Sequence, residues 1–259
     1  MIVFAHHQKT AGTTFIFVLR ANFGWQHCQS AKVKTKLFTQ KDLEKVRRGF
    51  PGLKSLMGHN LMAPTEHLTG DDLFFATMLR EPVKRMASHF QDHSLRGGNT
   101  LDFKNWCARY PETHNVQTVR TAGVPDVEKA KAILAKKYHY IGLTEDFNQS
   151  LKLFKVLSPY PVSINYNKRN AAATKKHSRS VLENPENLKL AQETNALDLE
   201  LYRFAKEELY PQLLAKHQKA LEETPDPTVF PADYKPFKFR LSKFYNNVIF
   251  SSLEKLKRT

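Results

Sequence analysis

Cysteine is almost missing from this sequence. Cys28 and Cys107 are the only two in 259 residues, which excludes a disulfide framework. No Cys/His cluster has the spacing of a zinc site. No apolar run has the length of a membrane span, and the first strand begins at Ile2. Neither a signal peptide nor an anchor is therefore expected ahead of the fold, and a cytoplasmic location is the simple expectation. Internal repeats and low-complexity blocks are absent. Acidic residues are the scarce charge, 25 against 40 basic ones, and the net charge of +15 implies an acidic partner. Nucleotides, polyanions, nucleic acid and lipid surfaces all fit that description. A Walker A loop is missing too, because Lys9 precedes Gly12, the only glycine of the loop that would carry it.

That loop is the most informative segment. Residues His6 to Thr14 read HHQKTAGTT and follow the apolar run Ile2-Val3-Phe4-Ala5. A buried strand opening into a turn with one Gly, one Lys and three hydroxyls, and then an apolar helix from Phe15, builds an anion cradle. Turn amides and the first N–H groups of the helix point at one spot, and the helix dipole adds about half a positive charge there. A nucleotide hydrolase would also close a later hydrophobic strand with an acidic metal ligand. Here the apolar strand Leu73–Leu79 ends in Arg80. Lys9, rather than a metal ion, is expected to neutralise the bound anion.

Further along, Gln40–Arg48 reads as a short basic helix and Lys54–Met57 as a short strand ending at Gly58-His59. A helix starts at Pro82, with Val83, Met86, Ala87 and Phe90 on one face. Asp126–Lys136 predicts another helix and Tyr138–Leu143 a strand. Thr144-Glu145-Asp146 is expected to cap a helix reaching Leu157. Helical patterns fill Glu186–Glu223. Strands alternating with helices predict an α/β fold with a mainly parallel central sheet flanked by helices on both faces. Ligands of such sheets bind beyond the carboxyl ends of the strands, where the cradle, His59 and Arg80 all fall. One domain is expected over residues 1–224. Residues 225–259 form a proline-rich linker and a basic amphipathic helix, read as packed on the domain in preference to lying on a membrane surface.

The second constellation is Leu79-Arg80-Glu81-Pro82-Val83-Lys84-Arg85-Met86-Ala87-Ser88-His89-Phe90. Arg80 offers a planar fork of donors suited to phosphate. A strand leading into H-x-x-K-T-A-G-T-T, followed by L-R-E-P-V-x-R-x-x-S-H-F, resembles the sulfotransferases that use 3′-phosphoadenosine 5′-phosphosulfate (PAPS). The carbohydrate branch around heparan sulfate and uronyl 2-O-sulfotransferases is the most similar. The resemblance implies a P-loop-like three-layer fold. It implies that Lys9, Thr10, Ala11, Gly12, Thr13 and Thr14 cradle the 5′-phosphosulfate, and that Arg80 and Ser88 hold the 3′-phosphate. Asn115, Gln117 and Arg120 match a segment that the family sets near the acceptor. Arg169, Thr174 and Lys175 fall where members close a basic loop over the nucleotide, although a solvated loop explains that stretch equally well. Tyr140–Phe147 and Ala196–Tyr202 extend the likeness more loosely.

Sulfuryl transfer to an alcohol needs a base for the acceptor proton and a charge stabiliser for the departing phosphate. His59 at a strand end suits the first task and Lys9 the second. Branch members carry a Gly-His here, often with a second His before it, where this chain has Met57. His6 matches a position that orients the loop. The expected donor is PAPS, the product 3′-phosphoadenosine 5′-phosphate (PAP), with no metal. The expected acceptor is a hydroxyl of a carbohydrate or similar molecule, anionic glycans included, and nucleic acid is not expected as a partner. Two rivals remain: a nucleotide-dependent kinase with an atypical P-loop, and a non-catalytic polyanion-binding protein. Preference for PAP over AMP and over ATP with Mg²⁺ separates them.

Overall fold

The structure is a computed structural model that describes residues 1–167 and 174–255, with side chains described through residue 249. Five strands form the central sheet: β1 (Ile2–Ala5), β2 (His27–Gln29), β3 (Ser55–Gly58), β4 (Phe74–Leu79) and β5 (Tyr140–Leu143). All their pairings are parallel, in the order β2-β3-β1-β4-β5. Strands covered on both faces read as unbroken apolar runs, and β1 (IVFA) is buried at every position.

The helices cover the sheet. The first half of the chain contributes α1 (Gly12–Phe23), α2 (Gln40–Gly49), α3 (Pro64–His67), α4 (Pro82–Arg96), α5 (Phe103–Arg109), α6 (Val116–Ala122) and α7 (Val127–Lys137). The second half contributes α8 (Phe147–Leu157), α9 (Lys176–Leu182), α10 (Pro185–Thr194), α11 (Ala196–Phe204), α12 (Tyr210–Lys216), α13 (Gln218–Glu222) and α14 (Phe237–Lys255). The main core lies between sheet and helices around Phe4, Phe15, Tyr140 and Phe154. A smaller cluster under α4, α5, α9 and α10 centres on Trp106.

Strand order decides where a ligand can sit. β1 lies mid-sheet with β3 on one side and β4 on the other, and the chain departs from it in opposite directions. That is a topological switch point, and the crevice beyond its carboxyl end is the expected ligand site of an open parallel sheet. The register pairs Ala5 with both Gly58 and Thr77. The loop after β1, His59 after β3 and Arg80 after β4 therefore leave the sheet side by side.

Several elements depart from expectation. β5 begins at Tyr140, two residues late, and just ahead of it the Phe75 amide of β4 donates to the ring nitrogen Nδ1 of His139 at 3.1 Å rather than to a backbone carbonyl. Thr144–Asp146 is a 3₁₀ turn and Asp146 makes no capping bond. Glu145 and Asp146 accept from the hydroxyls of Tyr202 and Tyr210 at 2.9 and 3.0 Å, so these carboxylates tie the sheet edge to the C-terminal helices. Within the segment read as a linker, β7 (Val229–Phe230) pairs in parallel with β6 (Tyr166–Asn167). α14 lies against α1 and carries a buried Asn246, which accepts from the Gln29 amide and donates to the His27 carbonyl. No helix among the described residues is long and apolar enough to cross a membrane.

Candidate functional site

Two residues with positive φ shape the loop after β1: Lys9 at 66° and Ala11 at 59°. Such values are uncommon outside glycine and mark a turn that its surroundings hold in place. Ala11 caps α1, its carbonyl accepting from the amides of Thr14 and Phe15. The first positions of the helix have no carbonyl one turn earlier to bond, so their amides are directed outward. Gly12 is required because any Cβ there would collide with the imidazole of His6. Thr10 turns inward instead, its buried hydroxyl donating to the His7 carbonyl at 3.0 Å. It braces the turn and does not line the cavity.

That cavity, of about 340 Å³, is lined by Lys9, Ala11, Gly12, Thr13 and Thr14, by His59, and by Arg80 and Ser88. Four separated segments of the sequence thus meet at one place. Pro82 starts α4 directly after β4, so Arg80 and Ser88 face the same space without a long intervening loop. The Arg80 guanidinium donates to the Lys9 carbonyl at 3.0 Å. Its backbone is clamped by Gln117, whose Oε1 accepts from the Arg80 amide at 2.8 Å while Nε2 donates to the Arg80 carbonyl at 2.9 Å. Asp92 and Arg96, one and two turns beyond Ser88, complete the wall. Asp92 sits 3.4 Å from the Lys9 ammonium and 3.3 Å from Arg96. Lys9, Arg80 and Arg96 against Asp92 leave two positive charges in excess. Burial lowers the pKa of Lys9, and Asp92 acts against that shift.

His59 stacks on His6, with ring centroids 4.1 Å apart. Its Nδ1 lies 2.9 Å from the His6 carbonyl, an acceptor only, so Nδ1 carries the proton and Nε2 is the basic atom. Burial lowers the pKa of His59, its bond to the His6 carbonyl raises it, and Arg120 lowers it again. Arg120 also donates to the His59 carbonyl. The neighbouring imidazoles are more strongly biased to the neutral form. Burial, with Arg85 and Lys9 nearby, pushes His89 down to about 4. His6 is pushed well down by burial and by His59.

A second cavity of about 810 Å³ adjoins the first and shares Gln8, His89, Asp92 and Arg96 with it. Met62, Val116 and Val119 give it an apolar wall, and Arg120, His114 and Tyr110 a polar one. Of the three residues expected near an acceptor, Arg120 alone lines it. Asn115 is engaged elsewhere, its Oδ1 accepting from the amides of Leu197 and Asp198. Gln117 is buried and spent on Arg80. Thr174 and Lys175 are exposed at the start of α9 and line neither cavity, and Arg169 lies outside the described residues. Asp92 and Arg96 went unread in the sequence, although their four- and eight-residue offsets from Ser88 set them on one helix face. Nothing local marks Gln117 as a clamp. No group of three or more His, Cys, Asp or Glu that could hold a metal occurs among the described residues.

No protein-family model matches the chain, and no curated protein matches it either.

Proposed function

We propose that this protein is a sulfotransferase that moves a sulfuryl group from PAPS to a hydroxyl of a carbohydrate-like acceptor, with His59 as general base and Lys9 stabilising the leaving phosphate. The observation that carries the reading is the meeting of the loop after β1, Arg80, Ser88 and a correctly tautomerised His59 around one cavity. The strand–loop–helix order at the centre of the sheet supports reading the fold as P-loop-like. The net positive lining and the outward helix amides suit a phosphosulfate, and the adjoining cavity offers room for an acceptor.

When bound, the donor supplies a sulfur whose bond to the phosphate oxygen breaks as the bond to the acceptor oxygen forms. His59 Nε2 takes the acceptor's proton, which makes the alcohol oxygen a nucleophile. Nδ1 stays fixed on the His6 carbonyl, so the ring does not turn as it becomes charged. Lys9 gives its positive charge to the departing phosphate oxygen. To do so it exchanges Asp92 for the ligand, a change of partner rather than a move into solvent. Arg80 and Ser88 fix the far phosphate and so select a 3′-phosphorylated nucleotide.

Calorimetry with PAP, AMP, ATP with Mg²⁺ and heparin tests the class, while His59→Ala tests the chemistry. PAP should bind in preference to the other nucleotides without Mg²⁺. His59→Ala should lose about 10²–10⁴-fold in turnover while PAP affinity stays within about twofold. Near-wild-type turnover of His59→Ala removes the base, and equal binding of AMP and PAP removes the donor.

A further inference from the structure

The described part of α14 carries a second chemistry, away from the cavity. Among the described residues ten large apolar side chains are exposed, and five of them lie on, just ahead of or against α14: Trp25, Tyr234, Phe237, Phe244 and Val248. Phe237 is 77% and Phe244 66% exposed, and they stand seven residues apart on one helix face. Trp25 sits in the turn Gly24–Gln26, which packs on α14 beside Lys238. Between residues 234 and 253 the sequence contains Lys235, Lys238, Arg240 and Lys243 and no acidic residue. Beside Phe244 a groove of about 390 Å³ is lined by Lys235, Arg240 and Lys243, with Phe239 at its wall.

We propose that this face is a peripheral docking surface for an anionic lipid bilayer. Phe237, Phe244 and Trp25 enter the interfacial region, and the basic groove takes lipid phosphates. A duplex nucleic acid or a sulfated glycan would be met by the cations alone. Leaving two phenylalanines and a tryptophan in water among those cations is the arrangement of an interfacial helix. Helix α14 is anchored by its opposite side, through Phe239 on Phe17 and the buried Asn246, so docking does not require it to leave the fold. It meets α1 near Phe17 and Asn22, whereas the cradle stands at the helix's amino end. The inference stands whether or not the chain transfers sulfate.

Sedimentation of the whole chain with phosphatidylcholine vesicles, with and without phosphatidylserine, tests this. Trp106 is fully buried, so a change in tryptophan emission reports Trp25. The chain should pellet with the phosphatidylserine vesicles and its emission should shift to the blue. Both effects should weaken with salt. The double variant Phe237→Ser/Phe244→Ser should bind about tenfold more weakly with an unchanged circular dichroism spectrum. Failure to pellet with phosphatidylserine vesicles overturns the proposal. Undiminished binding by the double variant does so equally, because it leaves only a polycation that heparin would satisfy as well.

Discussion

His59 can accept a proton only while its ring is neutral, and burial and two neighbours decide how long that lasts. Burial and Arg120 lower its pKa, while the bond to the His6 carbonyl raises it. The proposed base needs its neutral form, so activity should fall toward acid with a midpoint below 6.5, the ordinary value for histidine. Arg120→Ala removes a cation and should move that midpoint upward, and Arg120→Lys should largely restore it. The acid limb of kcat/KM against pH reads the shift. A limb that stays put or moves downward would show that Arg120 does not tune the base. Gln117 acts one step further out. It holds both backbone polar groups of Arg80 and faces no ligand, so Gln117→Leu should weaken PAP binding about tenfold by calorimetry and leave the midpoint of the acid limb alone. His59 and the loop are legible in the sequence because each sits within a few residues of an apolar strand. The resemblance points to Gln117 as an acceptor residue, but its clamp on Arg80 is not legible, since that partner lies 37 positions away.

Among elements, those written in apolar runs or proline starts are the readable ones: β1, β4 and α4 follow directly from IVFA, FFATML and REPV. Helix α6 is different. Its seven residues, VQTVRTA, hold four β-branched side chains and are too short to be helical alone. Its stability comes from α11. Asp198 accepts from the amides of Gln117 and Thr118 at 3.0 and 2.7 Å, and Asn115 returns the favour to the first amides of α11. The two helix starts cap one another across 80 residues of sequence, which no local pattern announces. Beneath them Arg85 is wholly buried, 4.0 Å from Asp198, and its guanidinium donates to the Thr113 carbonyl. Asp198→Ala would strand that cation and uncap α6 together. Urea denaturation should show a loss of about 3–5 kcal/mol, with donor binding weakened because Gln117 starts the helix that fails. A loss under about 1 kcal/mol would mean that the helices hold without their shared cap.

Across the whole molecule, the buried histidines make the fold sensitive to acid. His6, His7, His27 and His89 are all lowered, chiefly by burial, and His7 is pushed down to about 3. His7 is buried with neither ring nitrogen hydrogen-bonded among the described residues. An unfolded chain takes up these protons near pH 6.5, whereas the folded one refuses the proton on His7 until about pH 3. Between those values the unfolded state binds more protons, so stability must decline as the pH falls. Each such histidine steepens the decline by up to about 1.4 kcal/mol per pH unit. The growing net positive charge also destabilises the fold, but it acts almost equally on any variant that keeps the lysines and arginines. His7→Leu therefore isolates one imidazole: similar volume, no ring nitrogens to leave unpaired, and no proton to refuse. Urea midpoints across pH 4 to 7 should run less steeply for this variant than for the wild type, with little or no loss at pH 7. Parallel curves would mean that His7 takes up its proton in the folded state, and the tight packing of the loop against β1 would then have to open to admit it.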